Sequence, residues 1–252
     1  MPSIAITAGA DEWPQFGRNL TYGMLDRLGR EIVTGEFATR SFPTEAELAR
    51  QHGVSRSVTR EAVKMLTAKG LLTARPRQGT VVQPASSWNL FDTDILRWLL
   101  ERKFSVELLI QFNQLRVAIE PEAAALAARF AEPDDHGKIA AGLERMKQAE
   151  RGFDDPLEAD IAFHVAVLRA SKNPFYAQFR DVVARALSTS IRFTNRVKGR
   201  TANIADHTAV AEAIGRSDAA GAREAMRRII QDVLQLIEDA EGDVSDRADT
   251  RD

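Results

Sequence analysis

The stretch "PTEAELARQHGVSRSVTREAVKMLTAKGLLTARPRQGTVV", Pro43 to Val82, decides the fold of the first half of the chain. Thr44 stands as an N-cap with Glu47 three residues on, the spacing of a capping box, and Gly53 ends that short helix just after Gln51 and His52. Ser55 caps the next helix, which turns Ala62, Val63 and Leu66 inward and stops at Gly70 after Lys69. "LLTARPRQGTVV" then predicts a strand, a turn holding Pro76, Arg77, Gln78 and Gly79, and a return strand ending at Val82. Upstream, Leu20, Met24, Leu25, Leu28 and Val33 recur near helical spacing until Gly35. A helix, a helix-turn-helix and a hairpin, in that order, make a winged helix-turn-helix.

Arg56 and Arg60 are four residues apart, so both guanidiniums leave one side of the third helix, beside Ser57. The first turn of such a helix offers unpaired backbone N–H groups to phosphate, and arginine forks match guanine N7 and O6 in the major groove. The competing reading is a solvated face with Arg60 paired to Glu61 or Glu45.

The chain has 252 residues, 44% of them apolar, which favours two domains. A formal net charge of -2 supplies no bulk attraction to polyanions, so a nucleic-acid site has to be a local patch. There are no cysteines, which excludes disulfides and thiolate metal sites. Neither a leader peptide in Met1 to Ala10 nor a membrane-length apolar run is recognisable, so a cytoplasmic protein is expected.

After Ser105 the apolar stripes fall at three- and four-residue spacing, with breaks at Pro133, Gly152 to Pro156, Lys172 to Pro174, Gly199 to Arg200 and Ser217 to Gly221. Short loops between helices imply an all-α antiparallel bundle. The expected organisation is an N-terminal arm over 1–17, the DNA-binding domain over 18–83, a linker over 84–91, the helical domain over 92–240 and a disordered acidic tail over 241–252. Trp88, Leu90, Phe91, Ile95, Trp98 and Leu99 make the joining segment too apolar to stay in water, so it docks on something.

In "EADIAFHVAV", Asp160 and His164 converge on an otherwise apolar helix, and His207 in "DHTAVAEAI" could meet them across the bundle. One carboxylate and two imidazoles suit zinc, nickel or manganese, while a plain Asp–His hydrogen bond is the simpler alternative. Protons should compete for the imidazoles below about pH 6.5. Arg116 and Glu120 form another i,i+4 pair, readable as a salt bridge.

Residues Leu20 to Val82 resemble the winged helix-turn-helix of the GntR family of transcription regulators, through Pro43, Glu45, Leu48, Ala49, Val54, Ser55, Arg56, Arg60, Glu61, Ala62, Leu66, Gly70, Leu71, Gly79 and Thr80. The resemblance implies base and phosphate contacts from Arg56, Ser57 and Arg60, with Ser55 beside them in the DNA-binding set, and a wing tip at Gln78 and Gly79 reaching the minor groove. Ala46 departs from the arginine common there, leaving Arg50 or Arg77 to supply a contact. Thr59 replaces an apolar residue, and its hydroxyl needs the carbonyl one turn back.

"LRVAIEPEAA", "ADIAFHVAVLRASKNP" and "DHTAVAEAI" are similar to the FCD ligand-binding domain of the FadR-type branch. There an aspartate and three histidines hold a divalent cation that engages a carboxylate effector. Asp160, His164 and His207 match three of the four, and Ile229 stands at the fourth and cannot ligate, so low occupancy is expected. The same resemblance implies an effector carboxylate held by Arg116, Asp160, His164, Asn195 and His207, with galactonate-like sugar acids as the class. The expected protein is a homodimeric repressor of double-stranded operator DNA, with no catalytic residues. A metal-dependent hydrolase built on Asp160, His164 and His207, and an architectural DNA binder without effector, are the alternatives.

Overall fold

A computed structural model describes residues 15–101, 106–185, 187, 188 and 203–249. The chain divides into two compact units, Met1–Arg102 and Lys103–Asp252.

The first unit contains α1 (Gln15–Val33), α2 (Glu45–His52), α3 (Arg56–Ala68), β1 (Leu72–Arg75), β2 (Gly79–Val82) and α4 (Thr93–Glu101). The local signals act as their chemistry dictates. Thr44 and Glu47 form the reciprocal capping box, and Gly53 takes the left-handed conformation at φ 63° that closes α2. Ser55 Oγ accepts the Val58 N–H at 3.3 Å to start α3. β1 and β2 pair antiparallel, with Leu72 opposite Val82 and Arg75 opposite Gly79. Leu25, Leu28, Leu48, Ala62, Leu66 and Leu71 make the core of this unit.

The joining segment differs from expectation in its allegiance. α4 belongs to the first unit, not to a helical domain beginning at residue 92, because Ile95 and Trp98 are buried in the winged-helix core. Residues 84–91 do not hang free either: Ala85–Ser87 form a 3-10 turn, the Asn89 N–H donates to the Lys69 carbonyl at 3.2 Å, and the Trp88 indole donates to the Gln83 carbonyl at 3.0 Å. Lys69 Nζ reaches Asp92 at 2.7 Å and Asp94 at 2.9 Å. Asp26 on α1 receives the Trp98 Nε1–H at 2.8 Å and Arg97 Nη2 at 2.5 Å. Burial acts to raise the Asp26 pKa, but hydrogen bonds from Trp98, Arg97 and Arg30 outweigh it and hold the carboxyl at about 2.

The second unit holds α5 (Val106–Phe130), α6 (Pro133–Glu150), α7 (Pro156–Ala170), α8 (Pro174–Gln178), α9 (Ile204–Gly215) and α10 (Ala219–Asp249). The helix expected to run unbroken from Pro174 turns at Phe179 and resumes over 180–185. Ala123, Ala124, Ala127 and Ala128 give α5 a small-residue face, and α10 packs along this helix. α6 and α7 also approach closely: a Cβ on Gly142 would lie 2.9 Å from Phe163 Cα. α10 runs to Asp249, past residue 241 where loss of periodicity predicts a disordered tail. Once a helix is under way each added residue costs less than starting one, so the end of the apolar stripe is not by itself a stop. Residues 1–14 of the expected arm lie outside the described residues, and α1 already begins at Gln15.

Two glycines of α1 separate helix propensity from packing. A Cβ on Gly29 would sit 2.3 Å from the Trp98 ring, whereas one on Gly23 would meet nothing within 4 Å. Gly23→Ala is expected to stabilise the first unit by roughly 0.5–1 kcal/mol through propensity alone. Gly29→Ala should destabilise it by roughly 1–2 kcal/mol net, since overpacking a filled core outweighs that gain. Thermal unfolding of the two full-length variants checks the opposite signs.

Candidate functional site

Two sets of residues converge, one in each unit. In the first, Thr59 is wholly buried, and its hydroxyl donates to the Ser55 carbonyl at 3.2 Å, the partner its position requires. Thr59 is inward, while Arg56, Ser57 and Arg60 are exposed. Arg50 is exposed near the end of α2, and Arg77, Gln78 and Gly79 form the exposed turn of the hairpin, with Arg77 at φ 65° and Gly79 at φ 76°. Among the described residues, Arg50, Arg56, Arg60 and Arg77 have no carboxylate within salt-bridge distance, and Glu61 lies instead 3.9 Å from Lys64. The neutralised face that Glu61 or Glu45 would give Arg60 is therefore not formed. Ser55 spends its hydroxyl on the cap.

In the second unit, α5, α7 and α9 bring Asn113, Arg116, Glu120, Asp160, His164 and His207 together, all buried. Arg116 Nε donates to Glu120 Oε1 at 2.5 Å, and its Nη1 donates to Asn113 Oδ1 at 3.1 Å. The other oxygen of Glu120 meets His164 Nδ1 at 2.5 Å. His164 Nε2 lies 3.5 Å, and His207 Nε2 3.1 Å, from Asp160 Oδ1. His207 Nδ1 is 2.7 Å from the Asn203 carbonyl.

A carbonyl cannot donate, so Nδ1 of His207 carries a hydrogen and Nε2 is the ring atom turned towards Asp160. Despite their short separation, Asp160 Oδ1 and His207 Nε2 have no hydrogen-bond partner among the described residues. Two buried polar atoms lie within 3.1 Å of each other without hydrogen-bond geometry, an arrangement costly in a low-dielectric interior. A cation removes that cost, and one ligand atom from each of Asp160, His164 and His207 lies within 4.8 Å of the others. The donor set suits zinc, nickel or manganese.

Electrostatics around the cluster are strong. Burial acts to raise Glu120, yet Arg116 and His164 bring it down to about 2. Burial acts to lower His164, but Glu120 and Asp160 raise it to about 9. Asp160 is likewise held below the ordinary carboxylate range, its desolvation offset by the two histidines.

Sequence spacing located Arg116, Asp160, His164 and His207, and the fold joins all four. It did not reveal that Glu120 bridges Arg116 to His164, nor that Asn113 and Asn203 hold the outer atoms, although Asn113, Arg116 and Glu120 share one face and Asn203 and His207 are i,i+4. Ile229 is buried in the apolar core. Asn195 lies outside the described residues.

Comparison with known proteins fits both units. The family model "Bacterial regulatory proteins, gntR family" matches residues 23–82, and that of the FCD domain matches residues 111–232. The HTH-type transcriptional regulator YieP of Escherichia coli K12 is 32% identical over 217 residues, covering 85% of this chain and 94% of that protein. The chain belongs to the GntR family. This GntR-family chain is also 32% identical to the galactonate operon transcriptional repressor of Escherichia coli K12, over 84% of its own length and 94% of the relative's. The solved structure of E. coli McbR/YncC shares the fold at TM-score 0.52 and 19% identity, covering 88% of this chain and 98% of that one. GntR proteins are transcription regulators that bind operator DNA, and the FCD domain is their effector-binding part, so the hydrolase reading of Asp160, His164 and His207 falls away. Among the described residues no helix is long and apolar enough to cross a membrane.

The charge state of His164 moves the expected pH window for a cation. A cation at Nε2 must displace the proton that Glu120 and Asp160 retain up to about pH 9. Protonation is favoured below that value, so zinc affinity should rise roughly tenfold per pH unit from 7 towards 9, rather than level off above 6.5. Calorimetry at pH 7 in buffers of different ionisation enthalpy should show about one proton released per zinc. Release of none would remove His164 from the ligand set.

Proposed function

We propose that this GntR-family regulator is a cytoplasmic homodimeric repressor, released from its operator when a small carboxylate of the sugar-acid class binds at a divalent cation held by Asp160, His164 and His207. The observation that carries the effector reading is the buried Asp160–His207 pair, 3.1 Å apart without a hydrogen bond. Charge balance supports an anion there. Arg116 and protonated His164 balance Glu120 and Asp160, so exchanging the His164 proton for a divalent cation leaves one positive charge in excess. A bound monocarboxylate restores neutrality in a site where an uncompensated charge is expensive. Arg116 has five N–H donors, and the Glu120 and Asn113 contacts use one each, so the guanidinium can also hold that carboxylate while Nε stays on Glu120. Asn195 is assigned to the same effector by the family resemblance. With Ile229 in place of a fourth ligand, the cation keeps open positions for the effector and is held weakly. The galactonate repressor's name supports the sugar-acid class.

In the DNA-binding unit, Arg56 and Arg60 read or brace the major groove with Ser57, while Arg50, Arg77, Gln78 and Gly79 contact the backbone and minor groove. Ser55 orients this helix end through its cap. Exposed arginines without acidic partners suit this role, because neutralised ones would have to exchange partners on binding. A hundredfold release needs effector to favour the DNA-incompetent state by about 2.7 kcal/mol.

Operator binding followed by fluorescence anisotropy tests both halves. Wild-type protein should bind a short inverted repeat with steep salt dependence, and Arg56→Ala should lose roughly 1–3 kcal/mol and relax preference at one position per half-site. Galactonate or a related aldonate should release the operator in the presence of zinc and not after chelation; release that ignores the chelator contradicts the cation-dependent reading. Arg116→Lys keeps a charge opposite Glu120 but loses the fork, so the effector midpoint should rise roughly tenfold or more with operator affinity unchanged. An unmoved midpoint confines Arg116 to its salt bridge.

A further inference from the structure

We propose that Glu120 is the positioning residue of the cation site: its carboxylate takes the Nδ1–H of His164 and fixes the ring with Nε2 towards Asp160 and His207. This role rests on the cation site proposed above and goes beyond the pairing of Glu120 with Arg116. The geometry is a chain of contacts from α5 to α7. Asn113 Oδ1 accepts from Arg116 Nη1 at 3.1 Å, Arg116 Nε donates to Glu120 Oε1 at 2.5 Å, and Glu120 Oε2 lies 2.5 Å from His164 Nδ1. Every member is buried, so each polar atom depends on its neighbour rather than on water. With both carboxylate oxygens occupied, Glu120 cannot turn towards the cation position without breaking one of two charge-assisted bonds.

The two histidines are oriented by different means towards the same end. His207 is set by a backbone carbonyl, that of Asn203 at 2.7 Å, and has no need of a side chain. His164 has Glu120, which must itself be held by Arg116. A carboxylate behind a ligating imidazole fixes ring orientation and increases its basicity, and loss of such a partner weakens metal binding about 10–100-fold.

The test measures zinc affinity of full-length protein by competition with a chromophoric chelator, alongside melting of the zinc-free form. Glu120→Gln should bind zinc at least tenfold more weakly than wild type, and the strongly deshielded His164 Nδ1 proton of zinc-loaded wild type should shift upfield in its NMR spectrum. Because Glu120→Gln leaves Arg116 buried without its counter-charge, the paired variant Arg116→Met with Glu120→Gln removes both charges and guards against misfolding. It should show the same loss of affinity with its helical content retained. A lower melting temperature with unchanged zinc affinity in either folded variant overturns the positioning role and leaves Glu120 a scaffold charge. Wild-type protein that takes up no zinc instead removes the cation site itself, and the role of Glu120 with it.

Discussion

The second unit is organised around one close buried contact, Asp160 Oδ1 and His207 Nε2 at 3.1 Å without hydrogen-bond geometry between them. Both residues are buried, so water cannot take up the two atoms left without a hydrogen bond. Around them the fold leaves little freedom to escape. His207 is held by the Asn203 carbonyl, and His164 is held by Glu120. Rotating either ring would exchange one unsatisfied atom for another and break a good bond. The packing of α6 against α7, close enough for Gly142 to lie against Phe163, further restricts the helix that carries Asp160 and His164. An arrangement this constrained is suited to a cation and a carboxylate, and it explains why so much charge is buried in a bundle otherwise lined with alanine and isoleucine.

The first unit follows a different physical logic. Its proposed recognition surface is made by what turns away from the core: Thr59 satisfies its own hydroxyl inside, and Arg56 and Arg60 are exposed, with no acidic partner among the described residues. The unit also incorporates the segment that leads out of it. Trp98 fills the space left by the absent Gly29 side chain, and Lys69 and Asp26 hold the two ends of the segment through ion pairs. These pairs are only partly shielded, so the burial of Ile95 and Trp98 is the larger contribution to holding α4 in place.

Much of this was legible in the sequence where the determinant is local. Thr44 with Glu47, Gly53 and Ser55 announce helix ends within four residues of themselves, and the Thr59 hydroxyl could only find the carbonyl one turn back. Asp160 and His164 were visible as an i,i+4 pair for the same reason. What stayed hidden depends on contacts between distant segments. The apolar content of α4 said that it docks, but only the Gly29–Trp98 fit says against what. Arg116 and Glu120 read as a simple helix pair, and only the approach of α7 shows that the carboxylate has a second partner. The extension of α10 to Asp249 was missed because the end of an apolar stripe is not a helix stop, and elongating an existing helix costs less than starting one.

The most direct measurement is anomalous diffraction from crystals grown with zinc, since it places the ion without reference to activity. The account requires a peak about 2.0–2.2 Å from an Asp160 oxygen and from Nε2 of both His164 and His207. A difference map without a peak there, with Asp160 and His207 instead joined by a direct hydrogen bond, would contradict it.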